Sequence, residues 1–542
     1  MGRTLCKLAK NSLSESLSLP LVAGEFVFYT EFTVKKEEGV FSMADKIMEQ
    51  ALEILRHQRY YDSIQGLMGW DLWEGLSKKG QPYRGEVSGY FTRQALAELK
   101  SPETRKVVDA LKERKPEDFE DIYLKGAAHE LCQRYDRAVQ VPEDLQVEVR
   151  NYTGQAQMAW RDALDKNSFE FYKPTIKGLF ELKKRVAEAI DPNRPAFDVL
   201  CGTVDEGIDT QRVQQLFAGL KKGIVEIMEQ IAPQHEKIDT SVLETPYTHQ
   251  QRRDAAFEIN LLTGFDPDCA HDSQVLHGMC TGVGPRDSRI AISYKGVWGG
   301  IFTMLHEGGH ARYGYSSNDR AVECGLWGGL SGAMHEGQAR FYENIIGKSP
   351  EFWRLAYPVA VKHFPYLKDV PMEKFYMAQM KVQPSLHRIT ADELTYSLHP
   401  IIRFEMEKDC FDGKTSTDDF EEIWREKYKE TFGLVPKDAR EGVLQDIHWA
   451  SGHIGYFQSY TLGNLYGGQM LHAMKKVLPN FDELVEKGEF APINQWLYDN
   501  VHQFGRAMTP TEVLLHATGE ELTETYFLDY LRDKYLNKLR NI

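Results

Sequence analysis

The chain has 542 residues, with 65 basic and 80 acidic side chains and a formal net charge of −15. Hydrophobic residues make up 42% and aromatic residues 11%, enough to bury a real core, which excludes disorder over most of the length. The acidic balance, without Lys/Arg runs, speaks against a protein that coats nucleic acid or anionic membrane, and no apolar stretch reaches the roughly 18 residues of a transmembrane helix.

Residues 1–42 read differently from the rest. Arg3, Lys7 and Lys10 precede any acid, and Ser12, Ser14, Ser16 and Ser18 follow, a composition faintly like a transit peptide. Glu15, Glu25 and Glu31 weaken that reading, and Cys6 breaks the myristoylation pattern. The segment is read as an N-terminal extension, poorly ordered or targeting, ahead of a single helical catalytic domain over residues 43–542. From Met43 helical periodicity dominates. Ile47, Met48, Ala51, Leu52 and Leu55 share one face. Ile176, Leu179, Phe180, Val186, Ala187 and Ile190 predict a helix starting near Pro174, and Val213, Leu216, Phe217, Leu220, Ile224, Met228 and Ile231 predict another capped by Thr210. Alternation is scarce and clearest over Arg289-Ile290-Ala291-Ile292-Ser293-Tyr294, which predicts a strand there. Seven cysteines (Cys6, Cys132, Cys201, Cys269, Cys280, Cys324 and Cys410) include no C-x-x-C pair, so they read as mostly buried free thiols in a reducing compartment. The location this implies is cytoplasmic, with an organelle as the alternative if residues 1–42 are a transit peptide.

The chemistry is concentrated in His306-Glu307-Gly308-Gly309-His310. Two His four residues apart lie one helical turn apart on one face, so both imidazoles can reach a single ion, and the intervening Glu is placed to take a proton from water. A catalytic zinc site needs a third protein ligand. Glu336 offers one, with Glu323 as a competitor that spacing alone leaves open; His335, adjacent to Glu336, points elsewhere and reads as structural. The pair Gly308-Gly309 costs helix propensity, so another element must approach that helix closely. A guanidinium fork also suits an anionic ligand group such as a carboxylate. Arg388 and Arg289 are the candidates, Arg289 having Asp287 nearby as a structural partner.

Four further motifs occur in order: Asp287-Ser288-Arg289-Ile290-Ala291, His335-Glu336-Gly337-Gln338, His387-Arg388-Ile389-Thr390-Ala391-Asp392, and Gly442-Val443-Leu444-Gln445-Asp446-Ile447-His448-Trp449. With the metal motif, with Gly452 to Phe457, and with the early Gly69-Trp70-Asp71, they make the chain from Met43 onward similar to the carboxypeptidase Taq family of metallocarboxypeptidases. Ala291, His387 and Gln458 depart from the family pattern, and none is a proposed ligand or base. The resemblance implies a mainly α, neurolysin-like fold, two lobes around a deep groove with a small β-sheet near the active site. It implies a homodimer that releases single C-terminal amino acids from peptides with broad specificity. It implies one divalent metal per chain, zinc or alternatively cobalt, on His306, His310 and Glu336. Glu307 is then the general base, His448 and Tyr456 are further catalytic groups, and Asp446 and Gln445 orient them or help bind substrate beside Arg388 and Arg289. Neither nucleic acid nor membrane is an expected partner. An endo-acting oligopeptidase of the same architecture and a non-catalytic metal-binding scaffold are the alternatives; Glu307 speaks against the scaffold, since a structural ion needs no base.

Overall fold

A computed structural model describes residues 43–244, 247–274, 278–292 and 297–539. The chain divides into the units Met1–Asp45 and Lys46–Ile542; the expectations for residues 1–42 lie outside the described residues. The second unit is mainly helical with one small sheet.

Four helices, α1 (Met43–Glu74), α2 (Gln81–Leu99), α3 (Pro102–Lys112) and α4 (Ile122–Gln140), build a separate core. The stripe expected on α1 is there: Met48, Ala51 and Leu55 are buried, and Ile47 and Leu52 pack beside them. This core closes on Leu326, Phe504 and Ala507 from distant parts of the chain, whereas the later helices share a second, much larger core.

Five helices, α5 (Glu143–Lys166), α6 (Phe169–Ile190), α7 (Ala196–Gly202), α8 (Thr210–His235) and α9 (His249–Leu262), lead to the sheet. Two starts differ from expectation. Helix α6 begins at Ser168, whose hydroxyl accepts from Phe171 N at 3.3 Å, and Pro174 lies inside it. Pro174 is the sixth residue of the helix, and its missing N–H removes the bond to the Glu170 carbonyl. Helix α8 is capped by Asp209, which accepts from Gln211 N at 2.8 Å and Arg212 N at 3.2 Å, so Thr210 is the first helical residue; a carboxylate one position upstream won the cap.

The sheet has the order β1 (Ala270–Gln274), β3 (Asp287–Ile292), β2 (Met279–Gly284). Strand β1 runs parallel and β2 antiparallel to β3, with Arg289 opposite both His271 and Thr281. Strand β3 begins two residues earlier than the alternation predicts, and buries Ile290, Ala291 and Ile292. Strand β2 is an edge among the described residues.

Helix α10 (Val297–Tyr315) carries the H-E-x-x-H motif, and α11 (Asp319–Glu323) and α12 (Gly332–Arg340) follow. The glycine pair has the expected cause. A Cβ at Gly309 would lie 2.7 Å from both Ala339 Cα and Gln338 O, so the backbone of α12 rests directly on α10; Gly308 meets the Asn260 amide of α9. On the far side of α12, Gly463 of the helix Phe457–Val477 lets the backbone approach Glu336, where a Cβ would come within 2.7 Å of the Glu336 side chain. Helix α12 is thus pressed between two glycine-lined helices. Its start is fixed by Ser331, which accepts from Met334 N, and by the buried Asp205, which accepts from Ala333 N at 2.7 Å.

The six described cysteines are all free, but only Cys201 and Cys324 are fully buried; the other four are half-buried, so "mostly buried" does not hold. No helix among the described residues is long and apolar enough to cross a membrane.

Candidate active site

Helix geometry places the His306 and His310 rings on one face of α10, their centroids 4.9 Å apart. The close packing of α12 brings Glu336 to them: its Oε2 lies 3.8 Å from His306 Nε2 and 3.8 Å from His310 Nε2. Those separations are too long for hydrogen bonds. They are close to the roughly 3.4 Å between ligands that each sit about 2.1 Å from a tetrahedral ion. His306, His310 and Glu336 form the one group of three such side chains, among the described residues, whose donor atoms all lie within 4.8 Å. The donor set of two imidazoles and one carboxylate fits a divalent cation and leaves a position for water. Glu323, the competitor, is elsewhere: it is exposed on α11 and pairs with Arg320 at 3.5 Å. His335 packs against Tyr313, ring centroids 4.8 Å apart, and burial depresses its pKa to about 4.

Sequence reasoning missed two residues beside this trio, Arg340 and Glu343. Directly after α12 the chain winds as a π-helix, Phe341–Ile346, with Gly347 N donating to Tyr342 O at 2.9 Å. Glu343 from that wide turn accepts from or pairs with His306 Nδ1 at 2.9 Å, which leaves Nε2 facing Glu336. Arg340 donates from Nε to Glu336 Oε1 at 2.7 Å and from Nη1 to Glu343 Oε2 at 2.9 Å. One Glu336 oxygen is therefore occupied and the other faces the imidazoles. Glu336, Arg340 and Glu343 are spaced i, i+4, i+7, a one-face pattern that could have been read from the sequence.

Glu307 is buried next to the trio, and burial raises its pKa to about 7, with the charges of Glu336 and Glu343 adding to that and His306 opposing it. A Cβ on Gly278, at the entry to β2, would lie 3.0 Å from Glu307 Oε1, so the edge of the sheet lies beside this carboxyl. Burial and the neighbouring His306 hold the His310 pKa well below its usual value, so it is neutral. For His306 burial acts against the charged form, but Glu336 and Glu343 outweigh it and its pKa is raised.

A second buried cluster joins the first through Tyr396. The Arg340 guanidinium lies 4.0 Å from the Tyr396 ring, and the Tyr396 hydroxyl accepts from Arg388 Nη1 at 3.1 Å. Arg388 also donates from Nη2 to Asp446 Oδ1 at 3.1 Å, while Arg403 donates to Asp446 Oδ2 at 2.6 Å and to Gln445 Oε1 at 2.9 Å. Burial disfavours the Asp446 charge, but Arg403 and Arg388 outweigh it and hold the group well below the usual carboxylate range. Gln445 also accepts from the Arg388 backbone N. Asp446 and Gln445 thus hold the arginines. Arg289 is apart from both clusters: it sits on β3, paired with Asp287 at 3.0 Å.

His448 and Tyr456 border this second cluster. The His448 Nε2 and Tyr460 hydroxyl are hydrogen-bonded at 3.0 Å, the Arg388 guanidinium lies 4.8 Å from the Tyr460 ring, and the Tyr456 and Tyr460 rings are 5.4 Å apart. Burial lowers His448 to about 3 and raises Tyr456 to about 12, the Glu336 charge adding to the latter, so both are neutral donors near pH 7. The segment that carries them is held by Glu407, which accepts from Trp449 Nε1 at 2.6 Å and Gly455 N at 3.0 Å and whose pKa burial raises to about 8.

A helical body, an H-E-x-x-H helix and a buried Glu from the helix packed against it define a metallopeptidase. The carboxypeptidase Taq (M32) metallopeptidase model matches residues 50–535, and the chain belongs to that family of metallocarboxypeptidases. Carboxypeptidase 1 of Bacillus subtilis is 33% identical over 492 residues, 90% of this chain and 98% of that protein. Thermostable carboxypeptidase 1 of Thermus thermophilus is 32% identical over 501 residues, again 90% and 98%. Among solved structures, the Pyrococcus furiosus carboxypeptidase has a TM-score of 0.87 at 31% identity, covering 92% of this chain and all of the other. The M32 carboxypeptidase of Deinococcus radiodurans also has a TM-score of 0.87, at 28% identity and the same coverage.

Proposed function

We propose that this metallocarboxypeptidase removes single residues from the free C-terminus of peptides with broad specificity, using Glu307 as general base. The observation that carries the exopeptidase reading is a charge imbalance. Arg388 and Arg403 share one carboxylate, Asp446, and the nearby Glu407, raised to about 8, is largely protonated at neutral pH. The cluster therefore holds one positive charge more than its anions balance, and a buried charge calls for a partner. Arg403 is fully enclosed, whereas Arg388 keeps 9% of its surface and a second N–H on each Nη, so Arg388 is the arm that receives a substrate carboxylate.

A divalent ion, proposed to be zinc with cobalt as the alternative, would be held by His306, His310 and Glu336 and supply Lewis acidity toward the scissile carbonyl and toward water. Glu307 takes the proton of the attacking water and hands it to the leaving amine, a role for which a pKa near 7 is well placed. Tyr456 and His448, both neutral, donate toward the oxygen that gains charge. The open edge of β2 offers backbone groups to an extended peptide. The active form is proposed to be a homodimer.

Mass-spectrometric timing of products from a mixed peptide library, as free acids and as C-terminal amides, with and without a chelator, tests this reading. The expected products are successive single-residue losses from free acids, abolished by the chelator. Internal fragments appearing first, or equal rates on acids and amides, would replace it with an endo-acting oligopeptidase.

A further inference from the structure

The π-helical turn Phe341–Ile346 carries Glu343 and therefore sets where His306 Nδ1 finds its partner. A π-turn is a rare interruption of a helix that is frequent at functional sites. This one is supported from outside by the last helix of the chain. Lys534 Nζ donates to the Asn344 carbonyl at 3.1 Å, and the Tyr530 hydroxyl oxygen lies 3.2 Å from the same carbonyl. Both groups are themselves fixed by Glu393: Lys534 Nζ donates to its Oε2 at 2.6 Å, and the single Tyr530 hydroxyl hydrogen goes to its Oε1 at 2.6 Å. Lys534 and Glu393 are each 4% exposed, so this is a fully desolvated ion pair and not a surface bridge. Lys534 itself lies in a second π-helix, Asp533–Lys538, which also brings the Tyr535 hydroxyl to Glu393. Glu393 begins the single helical turn Glu393–Tyr396, whose last residue stacks on Arg340 and bonds Arg388. Two π-turns, nearly two hundred residues apart, are thus tied together at one buried carboxylate beside the candidate metal trio.

We propose that Lys534, with Tyr530 and Glu393, is a positioning residue for the metal site: this buried cluster braces the π-turn so that Glu343 orients His306. The inference rests on His306 being a metal ligand. A brace of this kind acts on ion affinity and geometry through the partner of a ligand, so its effect stays below the about 10- to 100-fold that loss of the partner itself carries.

The test uses the full chain and zinc and cobalt as probes. Lys534→Met alone strands a buried carboxylate, so the principal variant is the paired Lys534→Met/Glu393→Gln, accompanied by Tyr530→Phe, which keeps the ion pair and removes the hydroxyl that fixes Glu393. Zinc affinity is measured by competition with a chromophoric chelator, and the visible spectrum of the Co²⁺ form reports ligand geometry. The paired variant is expected to bind zinc a few-fold to about 10-fold more weakly with an altered Co²⁺ spectrum, and Tyr530→Phe to weaken it by less than the paired variant. Unchanged affinity and spectrum in both, whatever the melting temperature, would reduce the cluster to ordinary packing and overturn the proposal. Glu336→Ala separates the two layers of the argument. If it loses zinc while the brace variants do not, only the brace falls; if it binds zinc like the parent protein, the site assignment falls and the brace with it.

Discussion

The two buried polar clusters on either side of Tyr396 are built alike and offer opposite kinds of ligand. Around α10 and α12, Glu336 and Glu343, with Glu307 half ionised near pH 7, and two imidazoles surround Arg340; the set is rich in lone pairs and suits a cation. Around Arg388, two guanidiniums share one carboxylate, and the set suits an anion. Burial costs are high for both, since an unpaired charge removed from water is strongly disfavoured. Each cluster is therefore nearly neutralised by its own partners and left short by one ligand, which is how a site can be preorganised without collapsing on itself.

If that contrast is right, substitutions in the two clusters have separable signatures. Glu307→Gln should lower kcat by about 10³ or more while metal content stays near one ion per chain, because it removes proton transfer and no ligand; ordinary turnover in that variant would assign the base elsewhere. On the other cluster, C-terminal amidation should slow hydrolysis by an amount equivalent to about 2–5 kcal/mol, and Arg388→Ala should narrow the gap between acid and amide substrates with metal content unaltered. A gap that survives Arg388→Ala would move the carboxylate to another cation.

Smaller effects sharpen the same division. Glu343→Gln should weaken metal binding by about 10- to 100-fold, read by chelator competition, and leave acid-over-amide preference intact. Glu407 gives a stability signature. Its folded pKa of about 8 lies above the unfolded 4.5, so the native state binds the extra proton, and the stability it contributes is present below about pH 4.5 and lost as pH rises toward 8. Denaturant unfolding of the metal-free protein should show stability falling over that window with a slope of up to about 1.4 kcal/mol per pH unit, flattened by Glu407→Gln. The smallest effect belongs to Arg289→Ala. Its partner Asp287 is two residues away and half-exposed, so the loss should be within about 1 kcal/mol of stability, with no change in the acid-over-amide ratio.

Particular residues show how far local reasoning reached. His306 and His310 were legible because i, i+4 spacing on a helix is itself a distance, and the cost of Gly308-Gly309 correctly announced a close neighbour, found as Ala339 and Asn260. Arg340 and Glu343 carried a one-face spacing with Glu336 but passed unnoticed, since a π-turn after α12 has no signal in composition. Arg403 looked like any helical arginine until Asp446, 43 residues later in the chain, was found against it. The starts of α6 and α8 were misplaced because Ser168 and Asp209 outcompeted the more conspicuous Pro174 and Thr210.

What the sequence determined by itself was therefore the helical class, the family and the face of α10 on which two imidazoles stand. Each depends on motifs or on spacing within a turn or two, where covalent geometry dictates distance. Only the tertiary structure decided that Glu336 and not Glu323 reaches those imidazoles, that Arg388 and not Arg289 belongs to a charge-imbalanced cluster, and that the C-terminal helix touches the turn behind His306. Those choices join residues tens to hundreds of positions apart, and over such separations the chain sets almost no distance; packing at Gly309 and Gly463 does.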